Sequence, residues 1–390
     1  MLKNLFYLIR NREVFAVGFL FAVTSLLFGI WVAAVPQIKA QYQLSESGLG
    51  LSLLLAPLGA ITGMLLSGRI FSRIPVGNWM WGGYSVICLL MIAQLHANNL
   101  VLWWITLYIY GMVSFLNGVS ANTTVGTLER RHGRLLMSTC HAMYSMGGAL
   151  SGLLAGALYR WGYTSREQIL MMGFFLLLMM QWNRKWLIRE QDIIHSKSAI
   201  RFPSAKVLSL SFICLVTFMS EGCVADWSAL YLRDTLQAPA FWVPIGYSGF
   251  ALLMTLGRLN GDTWTHRFGR KALVVTGSLV AAFGFLLVSM LPITSGVIAG
   301  FMGVGAGCSC IVPVLFSESG NIPGVSRLEG YSMVTTGGLI GFLAGPSVIG
   351  FIAEAAGLSK GFLLMTLLAA LASFIGLRYP FGMPVLKTAG

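Results

Sequence analysis

Twelve times between Val14 and Tyr379 the chain turns apolar for close to the length of one bilayer crossing. The runs are Val14–Val35, Leu49–Phe71, Trp79–Ala97, Leu100–Thr123, Leu136–Tyr159, Ile169–Trp186, Val207–Tyr231, Phe241–Asp262, Ala272–Leu291, Ser295–Phe316, Gly330–Ala353 and Gly361–Tyr379. A helix needs about 20 residues to cross the hydrocarbon core. Lipid offers the backbone no hydrogen bonds, so a crossing segment of this kind must satisfy its own as a helix. The expected fold is an all-α membrane protein with twelve transmembrane helices.

Composition agrees. Of 390 residues, 56% are hydrophobic and 10% are charged, against about 25% charged in soluble domains. The net charge of +13 suggests nucleic acid only until the positions of the charges are read. Twenty-one Lys and Arg residues are assigned to one side of the twelve runs, in loops or toward the run ends, and Lys39, Arg160, Arg166, Arg233 and Lys360 to the other. This asymmetry is the positive-inside pattern, so both termini are expected to be cytoplasmic and nucleic acid is not an expected partner. Lys3, Arg10 and Arg12 precede the first run as in a signal peptide. The run then continues to Val35 and eleven more follow, so it reads as an uncleaved first span.

The longest polar stretch, 183–206, lies between runs six and seven. It divides the chain into an N-terminal half, 1–182, a cytoplasmic linker, 183–206, and a C-terminal half, 207–390. A weak repeat at about 194 residues places Gly63 and Arg73 on Gly257 and Arg267. Thr24 and Gly29 fall on Thr217 and Gly222 at nearly the same offset. Two pseudo-symmetric six-helix halves around a midplane site form a transporter architecture.

Run seven contains Ser220-Glu221-Gly222-Cys223-Val224-Ala225-Asp226-Trp227. A carboxylate inside the bilayer is costly unless it is paired, protonated or hydrated, and it marks a functional site by default. Glu221 sits near mid-span and is the leading candidate for proton or substrate handling. The competing reading is a structural acid bonded to a neighbouring helix. Asp226 is about 7.5 Å farther along and about 140° around a regular helix. Either Gly222 loosens the helix, or only one carboxylate faces a cavity.

Two polar faces recur in the N-terminal half at helical spacing. One holds Tyr110, Ser114, Asn117, Ala121 and Thr124; the other holds His141, Tyr144, Ser145, Gly148 and Gly152. Asn117, Asn122, His141 and Tyr144 are candidate cavity residues. The alternative for Asn117, Asn122 and Tyr144 is helix-to-helix hydrogen bonding. Trp31 and Trp227 either stack on a sugar-like ring or pack at the interface. The glycines of runs five and eleven read as close-packing surfaces, and Gly345-Pro346 as a point where run eleven kinks or loosens. The six cysteines all lie in apolar runs with no zinc-ligand pattern. No phosphate-binding loop, His-Glu-x-x-His or nucleophile elbow is present, so neither an enzyme nor a cofactor or metal is expected.

The most specific local motif is Gly257-Arg-Leu-Asn-Gly-Asp-Thr-Trp-Thr-His-Arg-Phe-Gly-Arg-Lys271. It resembles the loop motif of the major facilitator superfamily, Gly-x-x-x-Asp-Arg-x-Gly-Arg-Arg/Lys, at Arg267, Gly269, Arg270 and Lys271. His266 stands where the motif has its acid. Arg258 and Asp262 are four apart and can pair on one helix face. The resemblance implies a latch between adjacent helix ends, carried by Arg258, Asp262, Arg267 and Arg270. The counterpart after run two keeps Gly68 and Arg73 but has Ser72 and Pro75 for the acid and second glycine.

Further likeness runs through Ala121-Asn122, Glu129-Arg130-Arg131, Gly133-Arg134, His141, Tyr144–Gly148, Glu221-Gly222, Asp226–Tyr231 and Gly345-Pro346. These residues resemble the bacterial branch that contains the rhizopine-associated membrane protein, itself loosely similar to sugar permeases. The chain differs from that branch at Ala34 and Gly118, where relatives carry an arginine and an acid.

The resemblance implies a secondary transporter of the bacterial inner membrane. It is expected to move a small polar organic solute by alternating access with proton coupling, as a monomer. A drug or metabolite exporter is the alternative; the Gly-Pro pair that exporters carry in span five stands instead in run eleven. A transport-dead sensor is the third reading, and no large soluble domain accompanies the runs to favour it.

Overall fold

A computed structural model describes residues 2–134, 136–188, 205–319, 322 and 327–381. Among them there is helix and no strand. The helices are α1 (Leu2–Arg10), α2 (Arg12–Gln41), α3 (Glu46–Leu53), α4 (Leu55–Phe71), α5 (Val76–His96), α6 (Leu100–His132), α7 (Met137–Arg160) and α8 (Ser165–Asn183) in the first half. In the second half they are α9 (Ala205–Leu230), α10 (Ile245–Phe268), α11 (Arg270–Met290), α12 (Thr294–Cys308), α13 (Ile311–Ser319), α14 (Arg327–Ala356) and α15 (Leu358–Arg378). With α3–α4 and α12–α13 each counted as one broken crossing, and the nine-residue α1 too short to cross, this is the expected set of twelve.

Both breaks have the same cause. Proline lacks an N–H, and its ring clashes with the carbonyl four residues back. Pro57 sets that point at Leu53, where α3 ends, and Pro313 sets it at Ser309, just after α12 ends. Gly345-Pro346 has no such effect, because α14 runs on through Pro346. Nine crossings are long and apolar enough by composition among the described residues; α7, α8 and α10 are not in that set. α7 and α10 are rich in glycine and hydroxyl residues, and α8 opens on the polar Ser165-Arg-Glu-Gln168. The Thr164 side chain and Glu167 form a capping box there, which fixes the helix start by satisfying two otherwise unpaired backbone donors.

The halves repeat one packing scheme. In the first, α2 packs on α7, α4 and α5 on α6, and α5 on α8. In the second, α9 packs on α14, α10 and α11 on α12, and α11 on α15. The two most extensive contacts between halves are also paired, α7 with α10 and α3 with α14, and α2 meets α9 as well. Glycine permits the first of these. A Cβ on Gly152 would stand 2.6 Å from Ser248 Cβ and 3.0 Å from the Pro244 carbonyl oxygen. The second is as close, with a Cβ on Gly50 reaching 2.6 Å from the Pro346 carbonyl oxygen. The glycine stripes are therefore packing surfaces, as expected from the sequence.

The bundle has a basic side, where α2 begins and α10 ends, and a far side. On the far side Arg233 Nη2 donates to the Pro36 carbonyl at 2.7 Å, and the Ser47 N–H donates to Glu354 Oε2 at 3.0 Å. The Ser347 hydroxyl donates to the Gly50 carbonyl at 3.1 Å, and Ser248 donates to the Ala149 carbonyl. Among the described residues, the hydrogen bonds joining the halves lie between mid-bundle and the far side. Among the described residues, side-chain hydrogen bonds therefore tie the halves together at mid-bundle and on the far side.

Candidate functional site

The innermost of these links is Arg258, fourteen positions into α10. Its Nη1 donates to the Ser145 hydroxyl of α7 at 2.9 Å, across the seam between the halves. Its Nη2 donates to Glu221 Oε1 of α9 at 3.2 Å, within its own half. The two side chains keep 17% and 21% of their surface accessible, although both lie near mid-helix. An ion pair near mid-helix that keeps part of its surface accessible is not sealed in a core.

The pair has a polar surround. Tyr144 of α7 lies within electrostatic reach of Glu221, Arg258, Tyr110 and Tyr247. His141 is within reach of Arg258 and packs edge-on against Phe21, with ring centroids 5.1 Å apart. Cys214 and Cys308 both feel the Glu221 charge. Glu221, His141 and Tyr144, singled out from three separate positions in the sequence, therefore come together.

Other candidates do not join them. α9 is continuous through Gly222, so Asp226 points away from the Glu221 face. Asp226 is buried, with 9% of its surface exposed, and has no hydrogen-bond partner among the described residues. Trp227 is fully buried and Trp31 nearly so, stacked on Phe28 with centroids 5.7 Å apart. Both indoles sit inside the bundle, neither at a lipid interface nor open to a solute. Asn122 is exposed on α6. Asn117 accepts a 2.8 Å hydrogen bond from the Trp79 indole of α5, so it ties two helices together. Trp79→Phe is expected to destabilise the protein by about 0.6 kcal/mol, the mean for such a bond in a bundle. Thermal unfolding in detergent measures this, and an unchanged midpoint would deny Asn117 that role.

The latch residues also divide. Arg258 points inward to Glu221 and Ser145, not along its helix as the spacing allows; the side chain of Asp262 lies outside the described residues. Arg267 is exposed beside the Phe268 ring. Arg270, at the start of α11, holds Glu318 at 2.8 Å and Ser317 at 3.0 Å, joining the motif loop to the end of α13. Glu318 was not singled out in the sequence, although a lone acid closing an apolar run is the signal for it. Arg73 is exposed, with no side-chain partner among the described residues. The expected linker, 183–206, lies outside the described residues from 189 to 204.

Two six-helix halves, hydrogen-bonded to each other on the far side and meeting around a mid-bundle ion pair, define a polytopic membrane carrier. The Major Facilitator Superfamily model matches residues 17–318, and the chain belongs to that family. It is 31% identical to an uncharacterized MFS-type transporter of Yersinia pestis, over 89% of this chain and 91% of that one. It is 29% identical to the membrane protein MosC of Rhizobium meliloti, over 96% of this chain and 93% of that one. Among solved structures it is similar in fold to a D-xylose-proton symporter, with TM-score 0.70, 14% identity and coverage of 94% and 98%. A bacterial homolog of the human lysosomal transporter Spinster, inward-facing and occupied, gives TM-score 0.70 at 14% identity and coverage of 95% and 98%. At these identities the two structures bear on the fold alone.

Proposed function

We propose that this protein is a proton-coupled secondary transporter of a small polar organic solute, with Glu221 as the proton-carrying group. The observation that carries this reading is the Arg258–Glu221 pair, reachable by solvent at mid-bundle and linked through Ser145 to the opposite half. A carboxylate there exchanges its partner for a proton, and the exchange alters a contact between the two rocking units.

The basic side is assigned to the cytoplasm by the positive-inside rule, with both termini there. On that assignment the far-side contacts close the periplasmic end, as in an inward-facing arrangement. The halves, 1–182 and 207–390, move against each other about the pair. Arg270 and Glu318 are assigned the role of securing the cytoplasmic motif loop.

In proteoliposomes, an inward pH gradient is expected to accelerate uptake by the native protein. Glu221→Gln is expected to remove that acceleration while the protein stays folded. Gradient-driven uptake at the native rate by the variant would sink the assignment of Glu221.

A further inference from the structure

Arg258 and Glu221 form a loose pair. A single guanidinium nitrogen contacts a single carboxylate oxygen at 3.2 Å, longer than the 2.7–2.9 Å usual for such charge-assisted bonds. The guanidinium fork, suited to grip a carboxylate through two parallel bonds, is thus only half used by Glu221. Its other described bond goes to Ser145, a neutral acceptor in the other half. Both partners keep about a fifth of their side-chain surface open, 17% and 21%.

Among the described side chains, the remaining titratable groups within reach of the pair are His141 and Tyr144 from α7, Cys214 from α9, Tyr247 from α10 and Cys308 from α12, with Tyr110 of α6 behind Tyr144 and Tyr247; the side chain of Asp262, one turn from Arg258, is not among those described. None of these described side chains is a second carboxylate. When Glu221 takes up a proton, no other acid among the described side chains remains to neutralise Arg258. A buried guanidinium without an anion is unfavourable, and the tyrosine hydroxyls offer dipoles in place of the missing charge.

We propose that the solute is a small carboxylate that replaces Glu221 on Arg258 as Glu221 is protonated. The inference rests on the proton-coupled reading above and names the solute class of that site. The step balances: one proton is taken by the Glu221 carboxylate, one solute carboxylate takes its place on the guanidinium, and the net charge of the site is zero before and after. Tyr144 and Tyr247, within reach of both Glu221 and Arg258, are assigned to hydrogen-bond the hydroxyl groups of the same solute. Because only protein with protonated Glu221 is competent, the apparent affinity falls in proportion to the fraction that is deprotonated.

The test uses the purified full chain and matched pairs of probes that differ in one carboxylate: D-glucuronate with D-glucose, D-galacturonate with D-galactose, and L-lactate with propane-1,2-diol. Thermal shift is read at about pH 5.5 and about pH 8, where all three acids are ionised. At least one acid is expected to stabilise the protein while its neutral partner does not. Its apparent affinity is expected to be roughly tenfold or more tighter at the lower pH. Glu221→Gln, which mimics the protonated acid, is expected to bind that probe equally at both pH values. The double variant Glu221→Gln/Arg258→Gln carries neither charge, so its fold is not burdened by an unpaired ion, and it is expected to lose binding.

Stabilisation by no probe overturns the proposal, as does retention of acid binding by the double variant. A neutral probe that binds as well as its acid, and whose uptake carries protons in liposomes, overturns the carboxylate assignment and leaves proton coupling through Glu221 in place. Acid binding equal at both pH values in the native protein overturns the exchange together with the coupling on which it rests.

Discussion

Arg258→Ala is expected to lower the stability of the protein by about 2 kcal/mol, and adding Glu221→Ala to return most of that loss. Removing one member of a buried ion pair costs about 3–5 kcal/mol, because the other charge is left without compensation. The cost here is set lower because Glu221 retains 21% of its side-chain surface and can shed its charge by taking up a proton. Replacing both partners removes the uncompensated charge, which is why the double variant recovers. Thermal or denaturant unfolding of the native protein, the two single variants and the double variant in one detergent gives the coupling directly. Additive losses, with the double variant the least stable of the four, would mean that the two side chains do not act as a pair.

The second large effect concerns the far side. Gly50→Leu places a Cβ 2.6 Å from the Pro346 carbonyl oxygen, a backbone atom that cannot swing aside as a side chain can. Overpacking of this kind costs about 1–3 kcal/mol. The clash exists only while α3 and α14 are together, so it falls on the far-side-closed arrangement alone. A bias of about 1.4 kcal/mol shifts such an equilibrium tenfold. The six native cysteines are buried, so a cysteine at Ser347, beside the contact, reports opening against a low background. Ser347→Cys is expected to react with a membrane-impermeant maleimide roughly tenfold faster when Gly50→Leu is also present. Equal labelling rates in two folded variants would show that this glycine contact does not keep the far side closed.

Much of the fold was legible because the bilayer leaves few choices. A run near 20 residues must be helical, and the count of Lys and Arg on each side orients it. The broken second and tenth crossings were also open to reading, since Pro57 and Pro313 stand in the sequence, and the carbonyl each displaces is fixed by local geometry. Pro346 shows the limit of that rule: the same residue type leaves α14 intact, because neighbouring helices and local adjustment can absorb a proline in a membrane helix. Polar α7 and α10 were legible as crossings but not as the seam. Their composition gives glycine and hydroxyl faces without naming the helix that covers them.

The site was legible in its members more than in its pairing. Glu221, His141, Tyr144 and Ser145 stood out because polar groups at helical spacing in apolar runs are expensive. Arg258 stood out for another reason, as part of a motif, and its nearest apparent partner was Asp262, one turn away. Tyr247 and Glu318 gave no periodic signal of their own. Trp227 and Asn117 passed as cavity residues because an aromatic or amide in a membrane helix looks the same from the sequence whether it faces a solute or another helix.

About twelve membrane crossings, the basic side and a mid-span acid that has to be reckoned with can all be read from residue order alone. Those properties follow from transfer free energies summed along one chain segment at a time. Only the tertiary structure decided that Glu221 meets Arg258, thirty-seven residues away on another helix, and that Arg258 also reaches Ser145 in the opposite half. The meeting depends on where α7, α9 and α10 pass each other. Glycines at those crossings set the distance, and no periodicity within a single helix encodes it.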